Sequence, residues 1–166
     1  SIIKMDEELD HGPIVAQFKE DILDNDTTGT LRERLFARSA QVLIELLPAY
    51  LARKIRPREQ NHTKATFTKS LKKEDGFIKP EVLQASLINL TKIKPQEAEK
   101  FIRAMDPWPC AWTLLRLDSS GQAKRMKILK SHIEEGKLVL DEVQLEGKNL
   151  VSWKQFREAY PLSSFS

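Results

Sequence analysis

One cysteine in 166 residues, Cys110, leaves no partner for an intramolecular disulfide and no thiolate set for a zinc site. That poverty suits a reducing compartment, and Cys110 itself is expected to be a small core residue. Long apolar runs are missing too. Glu45, Arg53 and Lys130 interrupt the longest ones, and none approaches the roughly 20 uninterrupted apolar residues of a membrane-spanning helix. Ser1 to Asp10 holds four acids and no basic segment leading into an apolar one, so a secretory signal is not expected and a cytoplasmic location is. Hydrophobic residues make up 40% and charged residues of both signs 31%, a balance that fits a folded chain and excludes global disorder. The length allows one ordinary domain, or a domain piece with a small second domain.

What is present is an uneven charge. The net value is only +3, yet residues 1–52 carry 5 basic and 10 acidic side chains while residues 53–73 carry 8 basic and 1 acidic. A basic stretch between an acidic segment and a neutral one reads as a connector offering a surface to a polyanion, or equally as a solvated linker.

Local signals outline the elements. Ile2 and Ile3 read as the end of a strand, so the chain is expected to open within a domain. Pro13 leads into a strand over 14–19 with Ile14, Ala16 and Phe18 on one face. Thr30 and Glu33 form a capping box, placing a helix start near Leu31. Leu31, Leu35, Val42, Leu43, Leu46 and Leu47 recur at helical spacing, and Pro48 is expected to kink or end that helix. Residues 54–66, with Pro57 and few large apolar residues, read as the linker between a first piece, 1–53, and a second domain, 67–166. Asp75-Gly76 marks a turn; Pro80 and Pro95 fit the first turns of two helices, the second stopping at Asp106-Pro107. Strands are expected over 111–117, 125–133 and 137–145, the last with a break near Asp141. Ser119-Ser120-Gly121 and Glu134-Glu135-Gly136 read as turns, and a serine cap opens a last helix over 152–160. Trp108, Trp112 and Trp153 are expected in the core. The class is α+β, with the strands forming a small β-barrel flanked by helices.

Two stretches carry a resemblance. Met5-Asp6-Glu7-Glu8-Leu9-Asp10-His11-Gly12-Pro13-Ile14-Val15-Ala16-Gln17 resembles the end of the catalytic domain of 10-formyltetrahydrofolate-dependent formyltransferases. Ile102-Arg103-Ala104-Met105-Asp106-Pro107-Trp108-Pro109-Cys110-Ala111-Trp112 resembles the opening of the carboxy-terminal domain in the methionyl-tRNA formyltransferase family. Weaker matches keep the order: Lys73-Glu74-Asp75-Gly76-Phe77-Ile78 before it, and Val143-Gln144-Leu145-Glu146-Gly147-Lys148, Phe156-Arg157 and Tyr160 after it. The resemblance implies the tail of an α/β folate-binding domain (strand plus helix) followed by an OB-like barrel that helps bind tRNA. It implies 10-formyltetrahydrofolate as the donor bound by the complete enzyme, initiator methionyl-tRNA as partner, no metal, and a monomer. Of the family's catalytic asparagine, histidine and aspartate, only the aspartate has a match, Asp10, so the chain alone is expected to be inactive. His11 is not that histidine, which lies on another segment in the family.

The chemistry gives Asp10 its part. When an amine attacks a formyl carbon, an oxyanion develops and the nitrogen must lose a proton. A carboxylate beside the family's histidine favours its protonated form and assists that proton's movement. Read without the resemblance, Asp10 is a turn residue bonding the following backbone amides. For tRNA, clustered cations supply affinity to phosphates. The candidates are Arg53, Lys54, Arg56, Arg58, Lys64, Lys69, Lys72 and Lys73, with a second row of Lys124, Arg125, Lys127 and Lys130 expected to alternate along one strand. Both rows read equally as solvated faces.

Two departures from the family pattern stand out. Leu87 to Glu97 looks inserted, and after Ile133 only Glu134 to Glu142 precede the Val-Gln-x-x-Gly-Lys stretch, so the barrel is expected to be short or open. Related enzymes that formylate nucleotide-linked amino sugars, and a non-catalytic nucleic-acid-binding module, are the alternative readings.

Overall fold

The computed structural model describes residues 1–88, 94–117 and 121–165, which divide into two compact units, Ser1–Ser70 and Leu71–Ser166. In the first, Pro13 delivers the chain into β2 (Ile14–Ala16), which pairs antiparallel with β1 (Ile2–Ile3). The strand ends at Ala16, short of the expected residue 19. Helix α1 (Thr28–Leu51) starts ahead of the Thr30–Glu33 box. Thr27 is its N-cap: the Thr27 hydroxyl accepts from the Thr30 N–H at 3.2 Å, and the Thr27 N–H donates to the Thr30 hydroxyl at 2.9 Å. A hydroxyl at the third helical position thus does the reciprocal bonding usually given to Glu or Gln. Pro48 lies inside α1, which continues to Leu51.

No residue of α1 is buried, and Phe36, Ile44 and Leu51 stand exposed on it. Charge ties the preceding segment to the helix. Arg34 and Arg38 both reach Glu20, at 2.9 and 3.1 Å, and Arg34 also pairs with Asp26. The Leu23 backbone N–H, the Thr30 hydroxyl and the Arg34 guanidinium together hold the Asp26 carboxyl below its ordinary value.

In the second unit, α2 (Pro80–Ile88) and α3 (Pro95–Ala104) begin at their prolines, where the missing N–H costs nothing. Strands β3 (Ala111–Arg116), β4 (Lys124–Glu134), β5 (Lys137–Leu145), β6 (Leu150–Ser152) and β7 (Ser164–Phe165) make an antiparallel sheet in the order β6-β5-β4-β3-β7. Helix α4 (Trp153–Ala159) is capped by Ser152, whose hydroxyl accepts from the Gln155 N–H at 3.2 Å. The class is α+β, but the sheet is open among the described residues: β6 and β7 are its edges and do not pair. A closed barrel is therefore absent there, as the short stretch after Ile133 leaves few residues for further strands. Two sequence readings fall outside the described residues: Ser119 and Ser120 of one turn, and 89–93 of the inserted stretch.

One sheet face is dry. Leu83 of α2, Ile102 of α3 and Phe156 of α4 cluster with Ala111, Leu115, Met126, Ile128, Leu138, Leu140, Val143 and Leu145, each large side chain contributing about 1.5–3 kcal/mol by burial. The inward positions change parity along both central strands, from Met126 and Ile128 to the half-buried Ser131 and Ile133 on β4, and from Leu138 and Leu140 to Val143 and Leu145 on β5. The ladder shows why: Ile128 faces Val143, Lys130 faces Glu142 and Ser131 faces Leu140, so Leu129 is extra on one strand and Asp141 on the other. Each extra residue is taken up as a bulge, so the sequence parity changes while the apolar set of its strand stays on the core side, and one on each strand restores the pairing beyond them. The break expected near Asp141 is this irregularity within a continuous strand.

The turn Asp106–Cys110 has cis peptide bonds before Pro107 and Pro109 and a left-handed Cys110, φ 65°. Gly76 packs against it so closely that a Cβ would collide with the Cys110 carbonyl oxygen. Beside this contact the Ile78 N–H donates to the Trp112 carbonyl at 2.8 Å, and the Trp112 indole N–H to the Lys73 carbonyl at 2.7 Å. The tryptophan expectation holds for Trp153 alone, which packs on the core cluster. Trp108 is 52% exposed. Trp112 is half-buried on the outward face of β3, where strand alternation puts it because Ala111 and Thr113 point inward. Cys110 is half-buried, not a core residue.

Across the outward face, Lys130 meets Glu142 at 2.8 Å and His132 meets Asp141 at 2.9 Å. The Asp141 carboxylate raises the His132 value above its ordinary 6.5. A folded value above the unfolded one means the pair stabilises the fold fully below about pH 6.5, and the contribution is lost as pH rises through the folded value.

Two outcomes follow. Gly76→Ala should lower unfolding free energy by roughly 2 kcal/mol in denaturant titration, because a backbone carbonyl has to move; a loss below about 0.5 kcal/mol, the scale of an ordinary surface change, refutes the contact. By NMR titration the His132 ring should titrate above its value in Asp141→Asn, and identical curves would exclude the pairing.

Candidate functional site

Asp10 sits in a left-handed conformation, φ 55°, in the turn that leads to β2. Its side chain is exposed, and among the described residues it makes no hydrogen bond or ion pair; the local backbone bonding expected of an ordinary turn aspartate is not formed. The turn is held by other groups. The Gln60 side-chain amide donates to the carbonyls of Asp10 and Gly12 at 2.8 and 2.6 Å. The His11 ring bonds Asp6 through Nδ1 at 2.8 Å and stacks on His62, with ring centroids 3.8 Å apart and planes 12° from parallel. That carboxylate raises the His11 value, and His11 in turn lowers that of Asp6. Arg58 exchanges both backbone bonds with Ile14, each 2.8 Å. Residues 58–62, read from sequence as part of a linker, thus lie along the Asp10 turn inside the first unit.

The candidate cations fall into two sets. Arg53, Lys54, Arg56, Arg58, Lys64 and Lys69 are exposed in the first unit. Arg53, left-handed at φ 57° just past α1, lines an open cavity of about 510 Å³ with Lys4, Tyr50 and Glu59. Arg58 is already engaged, its guanidinium donating to the Gln17 side-chain amide oxygen Oε1 at 3.0 Å. Lys72 and Lys73 are exposed in the second unit, Lys72 donating its backbone N–H to Asp75 at 2.6 Å.

The row on β4 divides between faces. Arg125 and Lys127 point away from the buried Met126 and Ile128, whereas Lys124 has their parity and is exposed only because the strand begins there. Lys130 is neutralised by Glu142. Arg125 bonds Glu146 at 3.3 Å and lies over the Trp112 ring, 5.7 Å from its centroid. Lys127 and Gln144 join them around a shallow concavity of about 170 Å³. The Val143–Lys148 stretch runs from the end of β5 into the β5–β6 turn: Gln144 donates its side-chain amide to the Lys148 carbonyl at 3.0 Å, with Gly147 left-handed at φ 73°.

Chemically, the first set offers an exposed carboxylate on a braced turn, and the second a mixed face with a guanidinium on an indole, a pairing that also suits stacked bases. Gln60, His62 and Gln144 escaped sequence reasoning as site residues, and Trp112, a residue that could stack on bases, is assigned there to the core. No spacing signals Gln60, whose acceptors lie 48 and 50 residues away. Trp112 carried one usable signal, its alternation with Ala111 and Thr113. Among the described residues no group of three or more His, Cys, Asp or Glu is placed to hold a metal, and no helix is long and apolar enough to cross a membrane.

No family model matches the chain. Individual proteins do. A methionyl-tRNA formyltransferase of Chloroflexus aggregans is 42% identical over 116 residues, 70% of this chain and 34% of that protein. One from Chloroflexus aurantiacus is 40% identical over the same shares. One from Streptococcus pyogenes serotype M3 is 35% identical over 136 residues, 82% of this chain and 38% of its own length. Spanning about a third of the curated relatives it matches, the chain belongs to the methionyl-tRNA formyltransferase family.

Proposed function

We propose that this chain forms the carboxy-terminal part of an enzyme that moves a formyl group onto the amino group of initiator methionyl-tRNA. The observation that carries the reading is the identity to methionyl-tRNA formyltransferases over 70–82% of the chain. Two structural features support it. The one residue matching the family's catalytic set, Asp10, holds its carboxylate in solvent on a turn braced by side chains distant in sequence. The helix α1 leaves its apolar stripe uncovered among the described residues, the character of a face made to be covered by a larger domain.

In this reading residues 1–53 close a folate-binding domain, 54–66 run on from it with 58–62 bracing the Asp10 turn, and the second unit is an OB-like module whose sheet has stayed open. 10-Formyltetrahydrofolate, bound by the complete enzyme, contributes the activated formyl carbon. An exposed carboxylate bonded to nothing local fits the edge of a pocket for that group. The part of Asp10 is proton management. As the attacking nitrogen makes its fourth bond its proton turns acidic; the carboxylate, which until then favours the charged form of a neighbouring imidazole, takes that proton directly or through water, and the proton passes to the donor nitrogen whose bond to the formyl carbon breaks. The cations of the first unit supply phosphate attraction, and the Arg125–Trp112 face supplies a second contact for RNA.

In the complete enzyme, Asp10→Asn should lower turnover by about 10²–10⁴-fold, the usual worth of a positioned acid or base, with tRNA affinity within twofold. The pair Lys54→Glu and Arg56→Glu should weaken tRNA binding about tenfold or more and flatten its salt dependence, leaving saturated turnover in place. Arg58 is spared because it also binds Gln17. Equal effects of both changes on turnover and affinity would defeat this division of labour, and formylation of a nucleotide-linked amino sugar instead of the tRNA would replace the acceptor.

A further inference from the structure

Left-handed backbone costs a non-glycine residue on the order of 1 kcal/mol or more, so a conformation of that kind at Asp10 has to be held from outside. The holding group is an amide 50 residues along the chain. Both hydrogens of one NH₂ are used: Gln60 Nε2 donates to the Asp10 carbonyl at 2.8 Å and to the Gly12 carbonyl at 2.6 Å. Those two carbonyls belong to the Asp10–His11 and Gly12–Pro13 peptides, which flank the His11–Gly12 peptide. Turning Asp10 to a right-handed conformation swings the first carbonyl off the amide, and the carboxylate swings with it.

We infer that Gln60 is a positioning residue for Asp10, setting the direction of the carboxylate through the backbone without touching the reacting atoms. The inference rests on the proposed role of Asp10. Contacts around it place Gln60 firmly. Two residues before it, Arg58 is in register with Ile14 through paired backbone bonds of 2.8 Å; two residues after it, His62 stacks on His11. The opposite side of the turn is closed by Lys4, whose N–H donates to the Pro13 carbonyl at 2.9 Å and whose own carbonyl leaves no room for a Cβ at Gly12. The turn is gripped between Lys4 and Gln60, and among the described residues only Gln60 bonds the peptide that follows Asp10.

A double-mutant cycle in the complete enzyme tests this, reading kcat and both KM values for Asp10→Asn, Gln60→Glu and the double variant. Gln60→Glu keeps the shape but sets a carboxylate against two carbonyls. Gln60→Met keeps the length without any donor, and takes its place if the charge unfolds the protein. Either change alone should lower kcat about 10–100-fold, the effect of misplacing a catalytic group by about an ångström, with the KM for methionyl-tRNA within twofold. Added to Asp10→Asn it should cost nothing more, since the group it orients is already gone. Multiplicative losses in the double variant, or a loss expressed in KM, would overturn the positioning role and leave the role of Asp10 standing. Full turnover in Asp10→Asn would overturn both.

Discussion

Keeping one face of the β3–β4–β5 sheet out of water is the constraint on which the second unit depends. Three helices spend their apolar sides on it, and Leu83, Ile102 and Phe156 are fully enclosed as a result. With the inward face occupied, the outward face is free to carry Arg125, Lys127, Gln144 and the indole of Trp112. The Gly76 contact serves the same end, since it fixes the turn that leads into β3 and so fixes which residues of that strand point outward.

The first unit is held differently. Helix α1 encloses nothing, and the segments around it are joined by directional bonds: Arg34 and Arg38 to acidic partners, Arg58 to Ile14, Gln60 to two carbonyls. Directional bonds give geometry more than stability, since each is worth only about 1 kcal/mol net in water. A proton-handling group needs geometry, and the same short stretch, 58–62, that braces the Asp10 turn also carries Arg58, one of the cations proposed to meet tRNA phosphates. In the proposed reading, phosphate attraction at Arg58 and alignment of the carboxylate share one piece of chain.

Signals confined to a few neighbouring residues were legible before any coordinates: the helix starts at Pro80 and Pro95, the Ser152 cap and the alternation along β3 and β5 all lie within one turn or one strand. Thr27 in place of Thr30 as the cap shows the limit even there, because either threonine satisfies the local rule and only the path of the preceding segment, tied down through Asp26, decides. Asp141 was visible as an interruption, but its counterpart Leu129 was not, for a register exists only once two strands are paired. The candidate site followed the same division. Asp10 was found through a motif, whereas Gln60 and His62 act across some fifty residues of chain, which no pattern of spacing encodes.

The matched surplus of Leu129 and Asp141 also bears on how such a sheet can change through descent. Losing either residue singly would leave the other as an unmatched bulge and offset the pairing of the two strands by one residue beyond it, whereas losing both would restore a straight ladder with the same residues inside. Lineages should therefore gain or shed the two as a couple, so that a length polymorphism in one hairpin arm is accompanied by its mirror in the other.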